Sequence, residues 1–315
     1  MAEPVLVITG PTASGKSALA VAVANCLGGE VVSADSRQVY RGMDIGTAKP
    51  TSAEREGIPH HGFDQVSPTE RYSAGRFARD ARQWIAEIRE RGRVPIFAGG
   101  TGFYLRALTQ PLFEEPDMGE IERSRLRARL GGRDVAELRR WVRILEPASP
   151  ALDAARRGGG GRQRLLRAIE VAILTGRPLG WWQRNMPARE AGVPARWVVL
   201  EWPRDELYRR IDRRVSDMVR AGWVDEVRRL VANGFGAESP GVTATGYGDI
   251  LTHVEGRMAL DEALEQTRRA TRAYARRQLT WLRNQLPTDA LRLRADRPFD
   301  ERVENTVRHW KECRA

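Results

Sequence analysis

The eight residues Gly10-Pro11-Thr12-Ala13-Ser14-Gly15-Lys16-Ser17 constrain this chain more than any other stretch. They fit the pattern G-x-x-x-x-G-K-[ST], directly after the apolar run Val5–Ile8 and at the start of a segment of helical character, Lys16–Leu27. In that strand-turn-helix setting, Gly10 and Gly15 let the backbone turn so that its N–H groups converge on phosphate oxygens at a helix N-terminus. Lys16 adds a point charge, and Ser17 offers a hydroxyl to Mg2+. The motif therefore names a ligand group, a phosphate chain, and leaves the reaction open.

The loop sits in an alternating pattern. After Lys16–Leu27 come the apolar run Glu30–Ser33, a helical stretch Gly75–Arg91 and a second apolar run Val94–Ala98. Short apolar strands without polar alternation suit a parallel sheet covered on both faces. From Gly119 to Glu170 the character changes to helical, broken by Pro147, Pro150 and the run Gly158–Gly161. Arg196–Leu200 then resembles one more strand, and Glu206–Ala232 and Leu260–Arg283 resemble long helices. The expected fold is α/β, a P-loop NTPase-like parallel sheet core with a mainly helical insertion domain. The expected boundaries are 1–115 for the first part of the core, 116–194 for the insertion and 195–315 for the rest.

Charge adds a second clue. The net charge is +11, and residues 119–170 hold thirteen Arg against seven acidic residues, so about half the excess lies in a sixth of the chain. Only three of the 52 basic residues are lysines, Lys16, Lys49 and Lys311, so the excess is almost wholly arginine. Such an excess attracts polyanions, although charge alone speaks of non-specific binding rather than of fold or reaction. Arg269, Arg272, Arg276 and Arg283 follow helical spacing and share one face, with Tyr274 and Trp281 nearby.

Other classes fall away. No apolar run approaches the ~20 residues of a bilayer span, and Met1-Ala2-Glu3-Pro4 leads straight into Val5 without a secretory signal, so a cytoplasmic location is expected. Cys26 and Cys313 are too few and too far apart for a disulfide framework or a Cys-rich zinc site. His60, His61, His253 and His309 lack metal-ligand spacing.

A P-loop ATPase also needs an acidic residue on a neighbouring strand to organise Mg2+. Val94–Ala98 ends instead in Gly99-Gly100-Thr101, and the carboxylate follows the second strand, at Asp35. An acid there can take a proton from a nucleophile facing the bound phosphates, or simply cap the following turn. On these residues alone two other readings stay open: a small-molecule kinase using ATP, and a non-catalytic RNA-binding module.

With these elements in line, the chain resembles the tRNA dimethylallyltransferases, the tRNA isopentenyltransferase or IPP transferase family. The matching blocks run along its whole length. They are Gly10–Ser17, Asp35–Tyr40, Gly42–Pro50, His60-His61, Gly99–Tyr104, Gln163–Glu170, Leu174–Pro178, Leu207–Ile211, Gly246-Tyr247 and Thr271–Trp281. The second and third are far more specific than the P-loop.

The resemblance implies that the loop holds the diphosphate of dimethylallyl diphosphate, and that the allyl group passes to N6 of the adenosine immediately 3′ of the tRNA anticodon. Asp35 would take the proton of that amine. Lys16, Ser17 with Mg2+, and Arg210 and Arg214 would steady the leaving diphosphate. Thr101 would help place the reacting centre. Ser36, Arg37 and Gln38 would read the base, and Arg127, Gln163, Arg164, Leu165, Leu166, Arg167, Arg272 and Arg276 would contact the anticodon stem-loop. A monomer is expected, because no strong apolar stripe is left over. Two departures stand out. Gly160-Gly161 replaces an Asn-Asp pair of the family, and Thr243-Ala244-Thr245 with Gly248-Asp249 replaces Gln-Ala-Ile and Lys-Glu around Gly246-Tyr247.

Overall fold

The computed structural model describes residues 3–110, 116–156, 161–186 and 191–312. Cys313 and Gly158–Gly160, singled out above, lie outside them. Two compact units emerge, one of residues 1–110 with 192–315 and one of residues 111–191.

In the first unit β1 (Val5–Thr9) is buried at every position, as its unbroken apolar run requires. It leads through the glycine loop into α1 (Lys16–Leu27), which ends where Gly28 takes the left-handed conformation (φ 62°). β2 (Gly29–Ser33) follows, then a two-residue strand β3 (His60-His61). Helix α2 (Ala74–Glu90) is started by the Ser73 side chain, which accepts from the Arg76 N–H. β4 (Val94–Gly99) and the short α3 (Gly102–Thr109) complete the first part.

The second unit is helical: α4 (Glu120–Gly131), α5 (Val135–Leu145), α6 (Pro150–Arg156), α7 (Gly161–Thr175) and α8 (Leu179–Asn185). Asp134 and Glu137 form a reciprocal capping box that starts α5. Its core is Leu130, Leu138, Val142, Ala151, Leu165, Ala168 and Ile169.

The chain then returns through β5 (Ala195–Glu201), α9 (Arg204–Arg220), α10 (Trp223–Ala232), a 3₁₀ turn at Pro240–Thr243, α11 (Tyr247–Val254), α12 (Leu260–Gln285), β6 (Leu291–Arg294) and α13 (Phe299–Lys311). The stretch Glu206–Ala232, expected as one helix, is two, because Gly222 turns left-handed (φ 94°) between them. Apolar periodicity continues across that break, so it hides the turn.

All six strands are parallel, in the order β3-β2-β4-β1-β5-β6. The fold is thus the P-loop-like α/β sheet with helices that the sequence implies. The register sets Ser33 beside Ala98 and Thr9 beside Gly99. The turns that leave β2, β4 and β1 are therefore neighbours at the C-terminal end of the sheet, where ligands of open parallel sheets bind.

Candidate active site

Three strand ends build the site. Gly10 begins the loop after β1, and a Cβ there would come 3.0 Å from the Leu200 carbonyl oxygen of β5, a tight approach that a side chain could make only if the strand gave way. Ala13 and Gly15 both take positive φ (62° and 88°), which bends the loop over the start of α1. A non-glycine residue held at such a φ costs roughly 1–3 kcal/mol, and the surroundings hold it: Ala13 packs against Leu207, Ile211 and Ala275. Its carbonyl accepts from Arg210 Nε at 2.9 Å, and the Ser14 carbonyl accepts from Trp202 Nε1 at 3.0 Å. The Arg210 guanidinium also lies 4.4 Å over the Trp202 ring.

The second and third turns are stitched together. Ala34 N–H donates to Ala98 O at 2.9 Å, and Thr101 N–H to Ala34 O at 3.2 Å. A Cβ on Gly99 would fall 2.2 Å from Ala34 O, so this approach needs glycine. The Ser36 N–H donates to Thr101 Oγ1 at 3.0 Å, and Thr101 Oγ1 lies 3.3 Å from Ser36 Oγ. Asp35 accepts from the Arg37 N–H at 2.9 Å through Oδ1. Tyr274 of α12 lies beside Thr101 and Asp35, and burial together with the Asp35 charge pushes its phenol up to about 12.

Lys16 and Arg214 give the site its positive charge. Burial lowers the Lys16 ammonium to about 8; Asp35 pulls the other way and Arg214 adds to the lowering. Its Nζ reaches one partner, the Pro11 carbonyl, at 3.4 Å. Arg214 lies one helical turn after Arg210 on α9 and has no hydrogen-bond or ion-pair partner among the described residues. Its guanidinium is held below its usual value chiefly by burial; Asp35 and Glu54 oppose this, and Arg210 adds to it. The buried Ser14 hydroxyl has no hydrogen-bond partner either. Two cations and a hydroxyl with spare hydrogen-bonding capacity fit an anion that supplies acceptor oxygens.

Ser17 follows Lys16 at the first turn of α1, and its hydroxyl is likewise without a partner among the described residues. No group of three or more His, Cys, Asp or Glu side chains among those residues is arranged to hold a metal. A hydroxyl oxygen plus ligand phosphates suits Mg2+, which binds through one or two protein oxygens and substrate phosphates.

Several expected nucleic-acid contacts have other partners. The Gln38 amide is buried: it accepts from Ser33 Oγ at 2.8 Å and donates to the Thr47 and Ala48 carbonyls at 3.2 and 3.0 Å. It ties the end of β2 to the loop that follows. Arg37 projects differently, donating to Thr243 Oγ1 at 2.8 Å. Thr243, which lacks the amide expected at its position, is thus a hydroxyl acceptor for Arg37. In the helical unit the Leu165 side chain is fully buried, and Leu166, partly buried, packs against the same core. Arg127 and Arg167 both reach the buried Glu170. Gln163 and Arg164 are exposed. On α12, Arg272 donates through one nitrogen, Nη1, to both Asp212 carboxylate oxygens (2.6 and 2.8 Å), while among the described residues the exposed Arg276 side chain has the Tyr208 hydroxyl as its hydrogen-bond partner, at 3.3 Å.

The Gly42–Pro50 block is a framework. The buried Glu226 carboxylate accepts from the N–H groups of Asp44, Ile45 and Gly46 (2.8, 2.7 and 3.2 Å) and from the Tyr247 hydroxyl (2.6 Å). Lys49 donates to the Tyr40 carbonyl and pairs with Asp44 and Asp64. Sequence reasoning also missed Gln278. It accepts from the Thr12 N–H at 2.8 Å and donates to the Gly100 carbonyl at 2.9 Å. Tyr274, Gln278 and Trp281 recur at steps of four and three, a spacing that marks one helix face and was legible as such.

A phosphate-gripping loop set beside an acid and a hydroxyl at the ends of adjoining parallel strands defines a P-loop α/β protein built for group transfer. Comparisons with known proteins narrow this. Residues 38–285 match the family described as IPP transferase, and residues 3–67 match isopentenyl transferase. The tRNA dimethylallyltransferase of Halorhodospira halophila is 45% identical over 314 residues, covering 98% of each chain. That of Thermomicrobium roseum is 45% identical over 289 residues, 89% of this chain and 84% of its own. Among solved structures, the tRNA isopentenylpyrophosphate transferase of Staphylococcus epidermidis aligns with a TM-score of 0.70 at 33% identity, over 99% of this chain and 100% of that one. A eukaryotic dimethylallyltransferase acting on tRNA aligns with a TM-score of 0.75 at 28% identity, over 93% of this chain and 74% of that one. The chain belongs to the IPP transferase family. No helix among the described residues is long and apolar enough to cross a membrane.

Proposed function

We propose that this enzyme transfers the dimethylallyl group of dimethylallyl diphosphate to N6 of the adenosine immediately 3′ of a tRNA anticodon, releasing diphosphate. The observation that carries the reading is the adjoining of Asp35 and Thr101 to a loop flanked by two cations, Lys16 and Arg214, that have no ion-pair partner among the described residues, in a chain whose relatives are tRNA dimethylallyltransferases. The absence of a carboxylate at the end of β4, where Gly99-Gly100-Thr101 stands, favours this over an ATP-using kinase.

In the reaction the N6 lone pair forms a bond to C1 of the allyl group as the C1–O bond breaks, and the electron pair of that bond leaves on the diphosphate. Asp35 accepts the N6 proton, the work of a general base within hydrogen-bond reach. Lys16, Arg214 and the loop amides hold the departing charge, and the Ser14 hydroxyl donates to it. Ser17 would hold Mg2+ together with the diphosphate oxygens. Such an ion offsets negative charge on the leaving group. Thr101, fixed by the Ser36 N–H, orients the acceptor amine. The target base must leave the anticodon-loop stack, which a single-stranded loop makes inexpensive. Arg37, Gln163, Arg164 and Arg276 are the side chains proposed to meet RNA, and the enzyme is proposed to act as a cytoplasmic monomer.

The test is purified protein with dimethylallyl diphosphate and tRNA, followed by mass spectrometry of the nucleosides for a five-carbon addition to adenosine. Asp35→Asn should lower transfer by about 10²–10⁴-fold while tRNA affinity stays within about tenfold. A parallel collapse of tRNA binding would make Asp35 a structural residue, and no addition by the wild-type protein to any tRNA of its host would remove the reading altogether.

A further inference from the structure

The diphosphate loop and the Thr101 turn belong to different strand ends, yet transfer requires the electrophilic carbon and the acceptor amine to be held in line about 3–3.5 Å apart. One side chain joins the two turns. Gln278, buried on α12, takes the Thr12 N–H at 2.8 Å with Oε1 and gives its amide to Gly100 O at 2.9 Å with Nε2. It uses an acceptor on the donor-substrate loop and a donor on the acceptor-substrate turn, so neither hydrogen bond can form without setting the other's distance.

The surrounding glycines are cut to this contact. A Cβ on Gly100 would fall 2.3 Å from Gln278 Nε2, and a Cβ on Gly102 would fall 2.3 Å from the Trp281 ring one turn further along the helix. On the preceding turn, Tyr274 lies beside Thr101 and Asp35. One face of α12 therefore rests on both halves of the site. A different face of the same helix, with Ala275, meets Ala13 of the loop and Leu207 and Ile211 of α9, which fixes the helix to the cation-bearing side.

We propose that Gln278 is a positioning residue for the transfer step: by bridging Thr12 and Gly100 it fixes the separation between the bound allyl diphosphate and the Thr101–Asp35 acceptor site. The inference rests on the proposed prenyl transfer. It contributes to geometry rather than to affinity. The Thr12 N–H is also withdrawn from the ligand, so phosphate oxygens meet the later amides of the loop.

Gln278→Leu removes both hydrogen bonds at similar volume, and Gln278→Glu keeps an acceptor for Thr12 while losing the donor to Gly100. Three quantities are measured on the full-length protein: the transfer rate with both substrates saturating, the Kd for tRNA, and the hydrogen exchange of the Thr12 amide, with thermal unfolding as the control. Misplacement by about 1 Å can cost about 10²-fold in rate. Gln278→Leu should therefore slow transfer roughly 10- to 100-fold with tRNA Kd within about threefold, and Gln278→Glu should fall between it and wild type. The Thr12 amide should exchange faster in Gln278→Leu and stay near wild type in Gln278→Glu. Unchanged Thr12 exchange in Gln278→Leu overturns the bridge whatever the activity, as does a folded Gln278→Leu protein with wild-type turnover. A loss confined to tRNA Kd, or one matched by a lower melting temperature in both variants, overturns the positioning role. Wild-type protein that fails to transfer counts against the prenyl-transfer reading and leaves the exchange result to decide the bridge.

Discussion

Two clusters of positive charge, one in each compact unit, are treated in opposite ways. In the sheet unit, Lys16 and Arg214 are half-buried beside the glycine loop with almost nothing to bind among the described residues: one long contact to a carbonyl for the first and no hydrogen bond for the second. In the helical unit, Arg123, Arg127 and Arg167 converge on the Glu170 carboxylate, which is 1% exposed. A partly desolvated cation without a partner costs stability, so it persists where a ligand supplies the missing charge. Cations gathered on a buried carboxylate are already satisfied, and they tie α4 to α7. The same residue type therefore marks a ligand site in one unit and a structural clamp in the other. Arginine density alone cannot separate the two.

The largest effect expected from this contrast is at Lys16. Lys16→Ala should reduce transfer by about 10²–10³-fold, mainly through use of the allyl diphosphate, with a melting temperature at or above that of wild type. A clear drop in melting temperature would show that Lys16 supports the fold, and the contrast would break on that side. Glu170→Ala should do the reverse. Leaving three guanidinium groups around an empty centre should cost the helical unit about 2 kcal/mol, the penalty for a broken pair reduced because the arginines reach solvent. Hydrogen exchange along α7 would register it, and unchanged protection there would break the other side.

A third effect sharpens the electrostatics. With its pKa lowered to about 8, Lys16 is cationic below that pH and neutral above it. A bound diphosphate stabilises the cation, so donor affinity should be level below about pH 8 and fall as pH rises through it, by up to about tenfold at pH 9. Lys16→Arg should flatten that profile, because arginine keeps its proton. Titration calorimetry against pH gives the answer, and a flat wild-type profile would remove Lys16 from the diphosphate site. The smallest effect belongs to Arg276, exposed and only weakly held by Tyr208. Arg276→Ala should weaken tRNA binding about two- to threefold and reduce the salt slope by about one. No change in slope would place Arg276 with the committed arginines.

The sheet was legible because its signals are local. Val5–Ile8, Val94–Ala98 and the helix Lys16–Leu27 declare themselves through runs and periods a few residues long, and the glycines and lysine of the loop sit at fixed spacing between them. Asp35 could be noticed for the same reason, as the acid just beyond a strand. The short edge strand β3, the closing strand β6 and the break at Gly222 left no such mark: two to four residues make no period, and a left-handed glycine does not interrupt an apolar pattern.

The sequence by itself determined that this chain carries a phosphate-gripping loop at the head of a parallel sheet, in the company of an acid, a Gly-Gly-Thr turn and an arginine-rich helical insertion. Tertiary structure alone decided which side chains are free. Leu165 and Gln38 turn inward, Arg127 is committed to Glu170 across 43 residues, Arg37 leans on Thr243, and Gln278 reaches Thr12 across 266. The reason is physical. Local pattern follows from backbone geometry and solvent exclusion along one element, whereas the partner of a polar group is settled by elements brought together from distant parts of the chain.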